Sequence, residues 1–151
     1  MNTCFNVANY FLKRQDEEAG DLMSNMKLQK LVYYAQGFYL AMTGEPLFNE
    51  TIEAWEHGPV CVPLYHHYKE YGANPIPIPY DVDAYEVFTE KEREVLNEVY
   101  KHYGQFSAWK LRNLTHEDTP WIKSYHNGNA EITKSDMCCY FKTLLVDSES
   151  N

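Results

Sequence analysis

Basic charge is scarce in this 151-residue sequence: 13 Lys and Arg stand against 22 Asp and Glu, a formal charge of −9. Phosphate contacts need clustered Lys and Arg, so the balance disfavours a general nucleic-acid binder and favours basic or neutral partners. Cysteine is also sparse. Cys4, Cys61, Cys138 and Cys139 show neither paired metal-site spacing nor a thioredoxin-like motif, and the last two are adjacent, which reads as reduced thiols of a cytoplasmic protein. No stretch is apolar and long enough to span a bilayer, and no charged N-terminal region leads into an apolar run and a cleavage site. The expectation is a cytoplasmic chain with no membrane contact. Also missing are a dinucleotide-binding fingerprint, a phosphate-binding glycine loop and a nucleophile elbow, and no Ser or Cys stands in an activating context.

Histidine is present but poorly spaced for a metal. His57, His66, His67, His102, His116 and His126 contain no His-x-x-x-His pair, and His66 and His67, being adjacent, diverge on a helix. A site would have to assemble from separate segments, so no metal and no cofactor are expected. No repeat or linker divides the chain, whose length suits one domain with its own core. We read a single domain over 1–147 and a polar tail over 148–151.

What the sequence has in quantity is aromatic side chains, with 13 Tyr, 7 Phe and 3 Trp. Aromatics are enriched at the energetic centres of protein interfaces. Tyr33, Tyr34, Phe38 and Tyr39 lie within Met26 to Met42, a helical stretch apolar on nearly every side. Leu28, Leu31, Val32, Ala35 and Tyr39 keep the spacing of one core-facing stripe, and Tyr33, Tyr34, Phe38 and Met42 extend the apolar surface beyond it. Either neighbouring helices of the same domain cover that excess, or part of it faces a partner. Because the stripe already supplies a core face, Tyr33, Tyr34, Gln36 and Phe38 are expected to form an incompletely buried surface in the isolated domain. Gly37, costly inside a helix, marks a close approach to a crossing backbone.

The remaining elements follow from periodicity and end signals. A first amphipathic helix runs from about Thr3 to Arg14 and ends in an acidic turn around Asp16 to Asp21. Ser24 or Asn25 caps the central helix and Gly44 stops it. Alternation from Ile52 to His57 predicts a short strand, broken by Gly58-Pro59, and a second strand is expected between Tyr80 and Phe88. A short helix carries Leu64, Tyr65, Tyr68 and Tyr71, and the alternating prolines from Pro75 to Pro79 make an extended connector. Thr89-Glu90-Lys91-Glu92 is a capping box for a helix to about Tyr103, with Val95, Leu96, Val99 and Tyr103 inward. Ser107 caps a helix bearing Ala108, Leu111 and Leu114, whose Trp109, Lys110 and Arg112 lack the basic surroundings of a nucleic-acid recognition helix. Pro120 opens a turn or short helix, and Thr133 to Asp136 caps a last helix with Met137, Tyr140, Phe141, Leu144 and Leu145 along one stripe. The fold class is mainly α (α+β): a compact helical domain around a central hydrophobic helix, with a small two-stranded β element.

Two segments have competing readings. Trp55, His57, Gly58, Pro59 and Val60 combine a large aromatic, a titratable ring and a rigid turn, which can present an anchor or simply fill the core. Thr115 to Trp121 sets His116 beside Glu117 and Asp118, an arrangement suited to acid and base work. It also makes a plain helix end, with Thr115 and His116 bonding the last carbonyls and Trp121 in the core.

These segments, taken in order, also carry a family resemblance. Lys27-Leu28-Gln29-Lys30-Leu31-Val32-Tyr33-Tyr34-Ala35-Gln36-Gly37, then Gly44-Glu45-Pro46-Leu47-Phe48, Ile52-Glu53-Ala54-Trp55, Gly58-Pro59-Val60, a helix opening at Leu64-Tyr65, and Thr115 to Trp121 resemble the Panacea antitoxin domain, the SocA-like or phage-associated family. The resemblance covers Lys27 to about Trp121. It implies an antitoxin of a bacterial or phage toxin-antitoxin pair that neutralises a protein toxin by direct binding, the toxin being encoded by a neighbouring gene. One branch of the family is implied to deliver its toxin to a protease as an adaptor. A small hydrolase or metal-dependent enzyme, with the His57 and His116 regions converging in a pocket, is the remaining alternative. No catalytic residue is assigned. The expected partner-binding residues are Tyr33, Tyr34, Gln36, Phe38, Trp55, His57, Pro59, Val60 and Tyr65.

Overall fold

The fold is mainly helical, with a small antiparallel sheet on one side, in a computed structural model that describes residues 1–15, 22–128 and 130–149, with the backbone alone from 146. The acidic stretch 16–21, where the sequence places a turn, lies outside them. Helix α1 (Cys4–Arg14) starts at a capping box in which Thr3 and Asn6 satisfy each other's backbone amides. Helix α2 (Asn25–Thr43) is capped by Ser24, which accepts from the Lys27 amide at 3.3 Å, and stops at Gly44 in the left-handed conformation (φ 78°). The sequence therefore located both ends of the central helix.

Strands β1 (Ile52–Trp55) and β2 (Gly58–Cys61) form a hairpin, and β3 (Glu131–Ile132) pairs with the other edge of β1. The sheet thus has three strands where the sequence suggests two. Gly58-Pro59 does not break the strand. Gly58 has φ 115°, a left-handed value that suits glycine, and closes a two-residue turn so that Pro59 lies opposite Ala54 in the returning strand. The expected strand between Tyr80 and Phe88 is absent: those residues form bends and turns.

Helix α3 (Val62–Tyr68) continues into a 3₁₀ turn (Lys69–Tyr71). The proline connector follows without regular structure and is held by Gln15, whose side chain donates to the Ile76 carbonyl and accepts from the Met23 amide, both at 3.0 Å. Helices α4 (Glu90–Tyr103), α5 (Ala108–Thr115), α6 (Thr119–His126) and α7 (Lys134–Glu149) complete the chain. The Thr89 and Glu92 capping box opens α4, and Ser107 caps α5. Helix α7 runs two residues into the stretch read as a polar tail.

Helix α2 lies at the centre, with α1, α4, α5, α7 and the hairpin packed around it. Every residue from Lys27 to Gly37 is buried. A Cβ on Gly37 would run into the ring of Phe141 on α7, so the close approach is to an aromatic side chain and not to a crossing backbone.

Candidate functional site

The polar residues of α2 build the inner frame. Gln29 accepts from the Cys61 amide at 2.9 Å, and Asn25 donates to the Tyr65 carbonyl at 3.1 Å, which fixes β2 and α3 against the helix. Gln36 accepts from the Leu47 and Phe48 amides at 2.8 and 3.3 Å and donates to the Phe48 carbonyl at 2.8 Å. Its amide replaces backbone partners that a loop cannot supply. Tyr33 and Tyr140 donate to the two carboxylate oxygens of Asp118 at 3.1 and 2.7 Å. Burial raises Asp118 to about 6, against the opposing pull of Tyr140 and then Tyr33. Tyr34 stacks on Tyr103 with centroids 4.1 Å apart.

Three expected surface residues are therefore interior. Tyr33, Tyr34 and Gln36 are 0%, 2% and 1% exposed. Helices α4 and α7 and the loop after Gly44 enclose α2 on the sides that a single apolar stripe would have left open. Pro59 and Val60 are buried as well, inside the hairpin strand. Phe38, Trp55, Tyr65 and His57 reach the surface, the first three in part.

These four divide between two places. Trp55, Tyr65 and His57 lie on the hairpin side. The Trp55 and Tyr65 rings meet edge to face at 5.0 Å, and Arg112 donates to His57 Nδ1 at 3.3 Å while its guanidinium lies 4.7 Å from the ring centre of the exposed Trp109. Beneath them Lys30, 1% exposed, donates to the Pro59 carbonyl at 3.4 Å. Burial, reinforced by Arg112, lowers Lys30 to about 7. His116 stacks on Trp121 at 4.0 Å, its Nε2 has no hydrogen-bond partner among the described residues, and burial followed by Arg112 lowers its pKa. Thr115 bonds the Arg112 carbonyl at 2.8 Å, and Trp121 donates to the Trp55 carbonyl at 2.8 Å, as a helix end and a core tryptophan do. Among the described residues no group of three or more His, Cys, Asp or Glu side chains is placed to hold a metal ion.

Phe38 lies toward the other end of α2. From Lys30 to Met42 is about 18 Å at 1.5 Å per residue. There α2, α4 and α7 enclose a groove of about 590 Å³. Its walls are Phe38 and Met42 on α2, Val95 and Val99 on α4, and Leu144 and Leu145 on α7. Phe38 meets Phe141 on α7 edge to face at 4.8 Å, which packs α2 against α7 beside the groove. Along one rim stand Glu94, Glu98 and His102, one turn apart on the exposed side of α4. Val99, Leu144 and Leu145 read from the sequence as inward-facing. Val99 is buried as that stripe predicts, Leu144 and Leu145 are half-buried, and α4 and α7 both pack on α2 while leaving the recess between them.

A profile of the family described as Antitoxin SocA-like, Panacea domain, matches residues 28–122, more than half of the chain. The chain belongs to that family. The match runs from α2 to the first half of α6, so α7 lies outside the stretch that defines the Panacea domain, and the groove forms where that domain meets α7. Antitoxin SocA of Caulobacter vibrioides (strain NA1000 / CB15N) is 49% identical over 43 residues, which are 28% of this chain and 23% of that protein. The chain thus aligns with under a quarter of that relative's length. No solved structure gives a significant match. Among the described residues no helix of this Panacea-family chain is long and apolar enough to cross a membrane.

Proposed function

We propose that this chain is an antitoxin that neutralises a protein toxin by holding it in a direct complex, the toxin being the product of a neighbouring gene. Membership of the Antitoxin SocA-like family supports the antitoxin role. The observation that carries direct binding is the groove. Each neighbouring helix turns an apolar stripe toward α2 and α2 is buried along most of its length, yet an apolar recess of about 590 Å³ stays open with Phe38 and Met42 in its wall. A concave apolar recess rimmed by polar groups is a common place for a partner to bind. Neutralisation by occlusion asks for no catalytic step. It asks only for a surface that holds.

Expressing the neighbouring gene in a bacterial host, alone and together with this chain, tests the proposal. The expected result is growth arrest that this chain relieves, and a complex of the two proteins that survives affinity purification. Relief of arrest without a complex, together with protease-dependent loss of the toxin, would replace occlusion with delivery to a protease. Mutation of His57 and His116 to Ala is expected to leave neutralisation standing as long as the chain folds, since binding needs no proton transfer. Loss of neutralisation with folding and toxin affinity unchanged would support an enzyme instead.

A further inference from the structure

We infer that the groove between α2, α4 and α7 receives an amphipathic helix of the toxin, apolar along one face and flanked by Lys or Arg. The inference rests on the antitoxin reading and says what that partner must present. Every wall of the groove is a helix, and among the described residues no sheet edge borders it. An extended segment would therefore find no backbone ladder to join, whereas a helix can bury anchors spaced at i, i+4 and i+7 in such a recess. Along α4 the walls run from Glu94 to Tyr103, about 14 Å or two and a half turns of a matching helix. The volume lies within the ~300–1,000 Å³ of ordinary ligand pockets, but its polar lining residues, Glu94, Glu98, His102 and Tyr103, all stand on α4 and do not converge from several walls on one small molecule.

The acidic rim gives the sign of the flanks. Glu94 and Glu98 are exposed; Glu94 lies 3.8 Å from Lys91, and Glu98 lies 3.8 Å from Lys101 and 3.4 Å from His102, all on their own helix. Exposed pairs of this kind contribute little, so incoming cations can displace them at small cost. The net charge of −9 extends the same bias over the molecule.

Titration with a fluorescein-labelled 18-residue peptide of Leu and Lys, with Leu along one helical face, tests the groove directly. Two controls accompany it: the same composition scrambled so that Leu is spread round the helix, and a version with Glu in place of Lys. The amphipathic Leu/Lys peptide is expected to bind at least tenfold tighter than either control. Met42→Glu, at a position 45% exposed where a carboxylate stays solvated in the free protein, and Glu94→Lys with Glu98→Lys should each weaken binding at least tenfold with the circular dichroism unchanged. Equal binding of the scrambled peptide, or binding indifferent to these substitutions, overturns the inference. So does a wild-type dimer that Met42→Glu dissolves, since the groove then belongs to a second copy. With the toxin itself, Met42→Glu should reduce capture and growth protection. If Met42→Glu captures and protects like wild type, the groove is wrong and the antitoxin reading stands; if wild type captures nothing, the antitoxin reading falls.

Discussion

At Gly37 a hydrogen atom takes the place of a methyl group, and that sets how closely α2 and α7 approach. In an exposed helix, Gly→Ala gains up to about 1 kcal/mol. Here the new Cβ would enter the Phe141 ring, which is fully buried and packed against Tyr33, Tyr34 and Phe38, so it has little room to give. Overpacking of that kind costs about 1–3 kcal/mol. Gly37→Ala is therefore expected to lower the urea midpoint, and a raised midpoint would show that the ring yields. Lys30 gives a second prediction at this scale, with a defined sign. Its ordinary value of 10.5 falls to about 7 in the folded chain. Between those values the unfolded chain holds a proton that the folded chain has released, so stability attributable to Lys30 rises with pH. The penalty is complete below about 7 and relieved as pH climbs toward 10.5. Lys30→Met should then be more stable than wild type near pH 6.5, by up to a few kcal/mol, with the gap closing toward pH 10. Urea unfolding of both proteins across that range decides it, and a gap that stays constant or widens with pH would contradict the assignment.

Helix α2 does at the element scale what strands and turns do elsewhere: its side chains terminate other segments' hydrogen bonds. Gln36→Leu would strand the Leu47 and Phe48 amides and the Phe48 carbonyl in a buried place, at about 1–3 kcal/mol for each unmet group. The expected outcome is a loss of several kcal/mol and, under native conditions, faster hydrogen exchange at Leu47 and Phe48 than at the Val32 amide in mid-helix. Protection unchanged at those two amides would mean the loop holds itself. Ends of this kind of helix are legible in sequence because they depend on neighbours in the chain: Ser24, Gly44, the Thr89 and Glu92 box and Ser107 all act where local rules put them. The Gln36 bonds were not legible, because their partners are eleven and twelve residues away in a loop. Strand β3 was missed for the same reason, two residues long and defined only by pairing with β1. The return strand was missed because Gly58-Pro59, a breaker by composition, opens it here, directly after the two-residue turn of Glu56 and His57. The groove stood half in view. Phe38 and Met42 were in the apolar excess of α2, but an apolar stripe on α4 or α7 looks the same in sequence whether its partner helix arrives or stops short.

For the whole molecule the deciding quantity is where the negative charge lies, because a formal −9 by itself also keeps a protein soluble without any partner. Exposed charges act over a Debye length of about 8 Å at physiological salt, so their effect falls on encounter more than on the closed complex. With a basic toxin, raising salt from about 50 mM to 500 mM should slow association about tenfold or more and alter dissociation much less, since the contacts of Phe38, Met42 and the leucines of α7 carry no charge to screen. A general field and a local one differ in what charge reversal does. If the rim steers the partner, reversing Glu94 and Glu98 should cut the association rate by several-fold more than reversing Glu56 in the hairpin turn and Glu70 after α3, although both pairs change the net charge equally. Stopped-flow association at two salt concentrations with the four proteins, wild type, the two double variants and Met42→Glu, separates the contributions, because Met42→Glu should act mainly on dissociation. Equal slowing by both double variants would leave only a diffuse attraction, and a rate indifferent to salt would remove electrostatics from recognition and leave the apolar groove alone.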